Sequence, residues 1–219
     1  KVASFDTSVK TEGWESVKLT TRMMRLRGKN LGIVGFGRIG RVVCMKAKAF
    51  GLNVLATDPL TSEEDARRCG AQLVDLSTLL ERSDFVTLHA PLNHSTRNLI
   101  GEDQLRLMKP ESFLINAARG PLIEENALYE ALEKGVIGGA GLDVMTDPSP
   151  PIGHKLLGLH NIIVTPHVAF FSQESTLELE QRAASEVVKV LNGRMPDNLV
   201  NPKVLTHPCP RHKISSNQL

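Results

Sequence analysis

Residues 31–43 read LGIVGFGRIGRVV, a short apolar run that leads into Gly35, Gly37 and Gly40 and then into a helical pattern. This G-x-G-x-x-G spacing has two interpretations, a loop that cradles phosphate groups or a glycine-rich bend. Its context favours the cradle, because the glycines follow a strand pattern and open a helix, whose free N–H groups and positive dipole end suit an anion. The segment therefore predicts a strand, a tight turn and a helix in direct succession.

Short apolar or β-branched runs recur along the chain, and helical periodicity separates several of them. Runs with little alternation indicate strands that are buried on both faces, which is typical of a mostly parallel sheet. Right-handed crossovers then predict a doubly wound α/β fold of the Rossmann type. The seven candidate strands are LGIV at 31–34, NVLAT at 53–57, AQLV at 71–74, FVTLH at 85–89, SFLIN at 112–116, GGAGLDV at 138–144 and NIIVT at 161–165.

Composition limits the partners of this chain of 219 residues. Its hydrophobic content of 41% is ordinary for a globular protein, and a net charge of +2 gives no field that favours nucleic acid or a membrane surface. No apolar stretch of 18 residues occurs, and Cys44, Cys69 and Cys209 lack a paired spacing. We therefore expect a cytoplasmic protein with a small-molecule partner.

The pattern divides the chain into four parts. Residues 1–29 form a linker or arm, with Trp14 as the large anchor, and a solvated linker and a packed arm both remain open. Residues 30–171 form the predicted Rossmann domain, and 172–202 contain a long amphipathic helix. Residues 203–219 are expected to be a flexible tail.

Two local sequence patterns could mark the start of a helix and a metal-binding site. Thr61, followed three residues later by Glu64, resembles a capping box that opens a helix. His207, Cys209 and His212 lie in the tail, but two prolines and the lack of a fourth ligand argue against a metal site. We expect no bound metal.

An acidic residue strengthens the interpretation of the glycines. Asp58 ends the second strand 18 residues after Gly40, near the spacing at which a carboxylate binds a ribose 2′-hydroxyl. In a dinucleotide site Gly35 permits the turn, Gly37 lets the backbone approach the pyrophosphate, and Gly40 allows close helix–strand packing. Asp58 favours NAD over NADP, because a carboxylate repels a 2′-phosphate. A methyltransferase can show a similar loop, so the chemistry depends on later residues.

Three charged or titratable residues follow later strands. Arg119 ends the fifth strand, Asp143 ends the sixth, and His167 follows the seventh, at intervals of 24 residues. Ligands of open α/β sheets bind beyond the carboxyl ends of the strands, which is where all three are expected. Singly, they could also be a surface charge, a turn cap and a loop histidine.

Five longer segments of the chain carry a resemblance to a known family. They are LRGKNLGIVGFGRIG, LHAPLNHSTRNLIG, LMKPESFLINAARGPLIEENAL, GGAGLDV and NIIVTPHVAFFSQES. Together they resemble the D-isomer-specific 2-hydroxyacid dehydrogenases, and the resemblance runs from about Ser8 to Pro202. Two short stretches, FDTSVK and HVAFFSQES, are most similar to the branch related to C-terminal-binding proteins.

The resemblance implies hydride transfer between NADH and a 2-oxo acid, with a 2-hydroxy acid as the product. It implies that His167 is the general acid, that Arg119 pairs with the substrate carboxylate, and that Asp143 faces the nicotinamide. The remaining family contacts imply NAD-binding positions, in addition to the glycines, at Arg38, Ile39, Asp58, His89, Pro91, Thr96, Ala117, Ala118 and Asp143.

The chain departs from the family in two places. The family's glutamate, which hydrogen-bonds the catalytic histidine, is replaced by Pro148, so Asp147, one residue earlier, can take this role only if the loop shifts. Family members also carry roughly another 100 residues before this point, a small substrate domain that is expected to be absent here. Three histidines match no functional position and are expected to be exposed in loops: His94, His154 and His160.

Two functions remain open at this level. The first is the cofactor domain of an NAD-dependent 2-hydroxyacid dehydrogenase, and the alternative is an NAD(H)-responsive binding module that resembles the co-repressor relatives, with little turnover. Both predict a homodimer, because the resemblance implies association through the cofactor domain. Neither predicts direct contact with nucleic acid or membrane.

Overall fold

The computed structural model describes residues 2–14 and 23–206. Its centre is a seven-stranded sheet in which every neighbouring pair of strands is parallel. The predicted doubly wound parallel sheet is therefore confirmed. Each strand lies within a run that the sequence pattern indicates, except that the first begins one residue earlier, at Asn30. The strands are β1 Asn30–Val34, β2 Asn53–Thr57, β3 Ala71–Leu73, β4 Phe85–Leu88, β5 Phe113–Asn116, β6 Gly139–Leu142 and β7 Ile162–Val164. They lie in the order β3-β2-β1-β4-β5-β6-β7 across the sheet.

The apolar strands form because both faces of the first half of the sheet are covered. Leu31 and Ile33 of β1 pack in one core cluster with residues of the helix that follows, whereas Val34 and Leu55 pack in the other cluster. Successive side chains of a strand point to opposite faces, so a continuous apolar run is buried only between two layers. The sheet therefore carries helices on both sides.

Helices connect the strands and begin at identifiable caps. Ser62, not Thr61, caps the second connecting helix, because its hydroxyl accepts from the backbone N–H of Asp65 at 3.1 Å, so the predicted cap was wrong by one residue. None of the described helices is long and apolar enough to cross a bilayer. The helices are α1 Val2–Glu12, α2 Arg38–Ala49, α3 Glu63–Arg68, α4 Leu76–Arg82, α5 Glu102–Leu107, α6 Glu125–Glu133 and α7 Gln173–Leu191, and short 3-10 turns span Gly120–Leu122, Lys155–Gly158 and Pro202–Thr206.

The described residues divide into two compact units, one that ends at His167 and one that begins at Val168. Within the second unit, Ser172 caps α7 by accepting from the N–H of Ser175 at 3.0 Å. Trp14, the predicted anchor of the N-terminal arm, is 84% exposed in the single chain. The tail residues His207, Cys209 and His212 lie outside the described residues, as does the segment 15–22.

The strand order determines where a ligand site can form. The chain runs outward from β1 through β2 to β3, and then returns to place β4 on the other side of β1. Such a reversal leaves a crevice at the carboxyl ends of the two central strands, because the connections leave in opposite directions. The glycine loop, which follows β1, lies at this switch point.

Candidate dinucleotide-binding and catalytic site

The loop after β1 requires glycine at its first position. Gly35 has a φ of +91°, and its N–H donates to the carbonyl of Thr57 at 2.9 Å. A Cβ at this position would lie 2.5 Å from the backbone nitrogen of Ala90, which follows β4. Both the left-handed backbone and this close approach exclude a side chain, so the turn is pressed against the end of β4.

The other two glycines lie in opposite environments. Gly37 precedes the first residue of α2, and a Cβ there would meet no atom within 4 Å. A Cβ at Gly40 would lie only 2.3 Å from the carbonyl oxygen of Gly35, so this residue allows α2 to approach the loop. The helix start therefore opens onto free space, in which its N–H groups can receive an anion.

Asp58 follows β2 and ties the glycine loop to the neighbouring turn. Its Oδ2 accepts from the N–H of Phe36 at 2.7 Å, and its Oδ1 accepts from the N–H of Leu60 at 2.8 Å. A carboxylate has about four acceptor positions, so both oxygens can still accept from a further donor. The acid therefore has a structural role in the loop and remaining capacity for a ligand hydroxyl.

A cavity of 310 Å³ lies beside Asp58, and its wall contains predicted cofactor positions. Thr96 closes one side, because its hydroxyl donates to the carbonyl of Pro91 at 2.6 Å and accepts from the N–H of Asn93 at 2.8 Å. Apolar side chains supply much of the remaining wall. The lining of the cavity includes Gly35, Asp58, Leu60, Pro91, Asn93 and Thr96.

These residues fit a dinucleotide. The open helix start at Gly37 suits a pyrophosphate, the Asp58 carboxylate suits ribose hydroxyls, and the partly apolar cavity suits a flat ring. Arg38 and Ile39 are exposed in the first turn of α2, directly after Gly37.

His89 follows β4 at the same edge of the sheet. Its backbone N–H donates to the carbonyl of Val34 at 2.7 Å, and its Nε2 lies 3.1 Å from the hydroxyl oxygen of Thr87. Burial lowers the pKa of the His89 imidazole below its ordinary value, because the charged form loses hydration. The ring is therefore neutral at pH 7 and suited to contact a cofactor.

Arg119 lies in a turn after β5 that a buried amide organises. The side-chain nitrogen of Asn116 donates to the carbonyl of Arg119 at 2.9 Å, and its oxygen accepts from the N–H of Ala118 at 3.0 Å. Sequence reasoning missed Asn116, although a polar residue that ends an apolar strand is a signal for such a role. Ala117 and Arg119 are exposed on this turn, and one guanidinium nitrogen of Arg119 donates to the carbonyl of Ala118 at 2.6 Å.

Asp143 and His167 are joined through the backbone. The N–H of His167 donates to the carbonyl of Asp143 at 2.8 Å, and the N–H of Asp143 donates to the carbonyl of Asn116 at 2.9 Å. The hydroxyl of Thr165 donates to the carboxylate of the buried Asp143 at 2.5 Å. His167 has a φ of +56°, a left-handed conformation that is uncommon outside glycine and that is often found at functional sites.

The loop after β6 contains Asp147, whose side chain accepts a hydrogen bond within its own turn. Its Oδ1 accepts from the N–H of Ser149 at 2.9 Å, and the side chain is exposed. His154, at the end of this loop, was expected to be exposed, but its side chain is only 20% accessible and faces Glu125. That expectation was wrong, because the start of α6 covers the ring, whereas His94 and His160 are exposed as expected.

A larger cavity of 770 Å³ lies at the opposite, amino-terminal side of the sheet, between α1 and the strands from β4 to β7. Its wall includes Phe85 and Phe113, the first residues of β4 and β5. It contains neither the glycine loop nor Arg119, Asp143 or His167. The candidate site is therefore the smaller crevice at the carboxyl edge.

The fold and this crevice define a class of protein, a Rossmann domain that binds a dinucleotide at the switch point of its sheet. The chain also matches the family model described as "D-isomer specific 2-hydroxyacid dehydrogenase, NAD binding domain" over residues 1–169. The chain belongs to this family, and the matched region is its NAD-binding domain.

Individual relatives agree with the family model. The chain is 43% identical over 195 residues to D-3-phosphoglycerate dehydrogenase of Methanocaldococcus jannaschii, covering 89% of this chain and 37% of that protein. It is 42% identical over 185 residues to glyoxylate reductase of Thermococcus litoralis, covering 84% of this chain and 56% of that protein. These names are those of enzymes, which does not favour the alternative of a binding module.

Solved structures show the same relationship. The crystal structure of D-lactate dehydrogenase with NAD+ from Lactobacillus jensenii superposes with a TM-score of 0.78 at 32% identity, covering 91% of this chain and 63% of that chain. D-lactate dehydrogenase from Aquifex aeolicus, complexed with NAD and lactic acid, superposes with a TM-score of 0.79 at 31% identity, covering 88% and 62%. The chain thus spans between 37% and 63% of the length of these relatives.

Proposed function

We propose that this chain is the cofactor-binding portion of an NAD-dependent oxidoreductase that interconverts a D-2-hydroxy acid and a 2-oxo acid. The observation that supports the proposal is the chain of backbone hydrogen bonds from Asn116 through Asp143 to His167, which holds three neighbouring strand ends together. These hydrogen bonds link the Arg119 turn, the buried carboxylate of Asp143 and the His167 residue along the carboxyl edge of the sheet, where the glycine loop also lies. Such an arrangement suits a reaction between a cofactor and a small anion.

The cofactor is bound by groups on this edge. The backbone at Gly37, Arg38 and Ile39 receives the pyrophosphate, and Asp58 accepts from the ribose hydroxyls, which favours NAD over NADP. Asp143 binds the nicotinamide end. The other contacts in the proposal come from Gly35, Gly40, His89, Pro91, Thr96, Ala117 and Ala118.

The catalytic side chains act on the substrate. Arg119 binds the substrate carboxylate and polarises the carbonyl group, a task that suits its planar set of donors. His167 donates a proton from its ring to the carbonyl oxygen in the reductive direction and accepts it in the oxidative direction. NADH, when bound, supplies the hydride.

Asp147 is the proposed acidic partner of His167, in place of the family's glutamate. A carboxylate near an imidazole favours its protonated form, which a general acid requires. Because one oxygen of Asp147 accepts from Ser149 within its own loop, the role requires the loop to shift or the second oxygen to be used.

The substrate pocket requires a second wall. We propose that 30–171 form the NAD-binding domain, that 1–29 are an arm, that 172–202 lead to a substrate domain, and that 203–219 are a flexible tail. Positioning accounts for several kcal/mol of an enzymatic barrier, so this chain alone should bind NADH but turn over 2-oxo acids slowly.

Assembly, branch and location are further parts of the proposal. The exposed Trp14 supports an arm that is buried between two copies of the chain, and FDTSVK and HVAFFSQES support the branch related to C-terminal-binding proteins. The free thiols of Cys44 and Cys69 support a reducing, cytoplasmic location. Light scattering at micromolar concentration should give the mass of a dimer, with or without NADH, and a monomeric mass in both conditions would contradict the assembly.

A steady-state assay tests the activity. NADH oxidation is measured with glyoxylate, pyruvate, hydroxypyruvate and bulkier 2-oxo acids, both for this chain and for a version extended by any upstream domain. We expect turnover mainly in the extended version, abolished by His167→Ala and retained in the control His160→Ala. A lack of turnover in both versions would contradict the proposal, and fast turnover by the 219-residue chain alone would show that the pocket is built elsewhere.

A further inference from the structure

Glu125, in the first turn of α6, holds both ends of the loop that carries Asp147. Its Oε1 accepts from the N–H of Thr146 at 2.5 Å, and its Oε2 lies 3.8 Å from the Nε2 of His154. Both side chains of the pair are about four-fifths buried, with exposures of 19% for Glu125 and 20% for His154. One carboxylate therefore contacts the residue before Asp147 and the residue at which the loop ends.

The ring of His154 is oriented toward this carboxylate. Its Nδ1 is buried and has no hydrogen-bond partner among the described residues. The tautomer with the proton on Nε2 leaves no buried, unsatisfied donor at Nδ1 and places the N–H on the side of the ring that faces Glu125. The next residue, Lys155, donates to Asn126 at 2.7 Å, which attaches the following turn to α6 as well.

The same loop is in contact with the arginine turn. A Cβ at Gly120, directly after Arg119, would lie 2.1 Å from the backbone of Met145 and 2.5 Å from the nitrogen of Thr146. The two backbones are therefore packed against each other without an intervening side chain. A displacement of Thr146 changes the position of Asp147 and also the support under Arg119.

We propose that Glu125 is a positioning residue, which sets the Asp147 loop against the Arg119 turn, with His154 as its second anchor. The inference rests on the proposed function, because the loop matters for catalysis only if Arg119 and Asp147 act on the reaction. The segment from Asp147 to Gly153 is mostly exposed, and its described internal contacts are local. Its placement therefore depends on its two ends.

The experiment measures the loop and the reaction separately. Hydrogen exchange and NADH titration are carried out on this chain, and the steady-state assays on the version extended by any upstream domain. Amide hydrogen exchange at Thr146 reports the tether, NADH fluorescence titration reports cofactor binding, and steady-state assays report kcat and KM for a 2-oxo acid. Glu125→Ala removes the acceptor, whereas Glu125→Gln keeps an oxygen for the Thr146 N–H. Glu124→Ala is the matched control, because this neighbouring glutamate is exposed.

In Glu125→Ala we expect exchange at Thr146 to accelerate by about tenfold or more, as for the loss of a hydrogen bond to a charged group. The kcat should fall by about tenfold, because positioned groups lose alignment, while NADH affinity stays within about twofold. Glu125→Gln should restore most of the protection and the rate, and Glu124→Ala should resemble the wild type.

Several results would overturn the inference. Unchanged exchange at Thr146 in Glu125→Ala would show that the tether does not hold the loop. A joint loss of kcat, NADH binding and thermal stability would show a general structural role in place of positioning. If neither the wild-type chain nor its extended version turns over a 2-oxo acid, the proposed function fails and the catalytic role of Glu125 with it, whereas the exchange data still decide whether the tether exists.

Discussion

The buried side chain of Asn116 donates to the main-chain oxygen of Arg119 at 2.9 Å, and its own oxygen accepts from the intervening N–H of Ala118. One amide thus satisfies both a donor and an acceptor of the turn that presents the arginine. The backbone carbonyl of Asn116 also accepts from Asp143, so this residue connects two of the predicted functional positions.

Replacing Asn116 with Ala should lower the free energy of unfolding by about 1–3 kcal/mol, because buried backbone groups of the turn lose their partners. Urea denaturation of this chain measures the change. Asn126→Ala is the control, since this exposed amide contacts only one lysine among the described contacts, and its effect should stay within about 0.5 kcal/mol. Equal losses in the two variants would contradict the assigned role of Asn116.

NADH should bind more tightly than NADPH, because the Asp58 carboxylate accepts from ribose hydroxyls and repels a 2′-phosphate. Asp58→Ala should reduce this preference by about 1.5–3 kcal/mol, as for one charged hydrogen bond. The ratio of the two affinities is the relevant quantity, because Asp58 also supports the loop through Phe36 and Leu60. Fluorescence titration measures both nucleotides, with the exposed Asp103→Ala as the control, and equal wild-type affinities would refute the assignment.

Two glycine substitutions should separate binding from folding. Gly37→Val adds atoms where none lie within 4 Å, so the protein should fold with a stability change below about 1 kcal/mol but lose NADH binding. Gly40→Ala places a methyl group 2.3 Å from a carbonyl oxygen and should cost about 1–3 kcal/mol of stability. Thermal unfolding and NADH titration of both variants test this, and retained NADH binding by folded Gly37→Val would show that the loop is only structural.

Acidification should destabilise the fold through His89. Burial lowers the pKa of this imidazole from 6.5, so below that pH the unfolded chain binds a proton that the folded chain does not. Stability should therefore fall as the pH drops below about 6.5, with a slope from this group of at most about 1.4 kcal/mol per pH unit. Urea denaturation at pH 7.5, 6 and 5 should show a smaller loss in His89→Gln, whereas an identical pH profile in the variant would contradict the effect.

Much of the fold could be predicted from local patterns. The strand runs and the glycine spacing depend on residues that are near each other in sequence, and a continuous apolar strand has a direct physical cause in burial on both faces. The cap of α3 was misplaced by one residue because Thr61 and Ser62 are adjacent hydroxyl residues with equivalent capping chemistry. His154 was misjudged because it lies in a loop and matches no functional position, while the side chain that covers it is 29 positions earlier.

By itself, the sequence determined the parallel sheet, the switch-point loop and the order of Arg119, Asp143 and His167 at successive strand ends, because these follow from periodicity and spacing. Only the tertiary structure decided that Glu125 holds Thr146, that Asn116 supports the arginine turn, and that His167 has a left-handed backbone. The Glu125–Thr146 contact joins residues 21 apart, and its geometry depends on how β6 and α6 pack. Local propensity carries no information on such long-range packing, so these contacts had to be read from the folded chain.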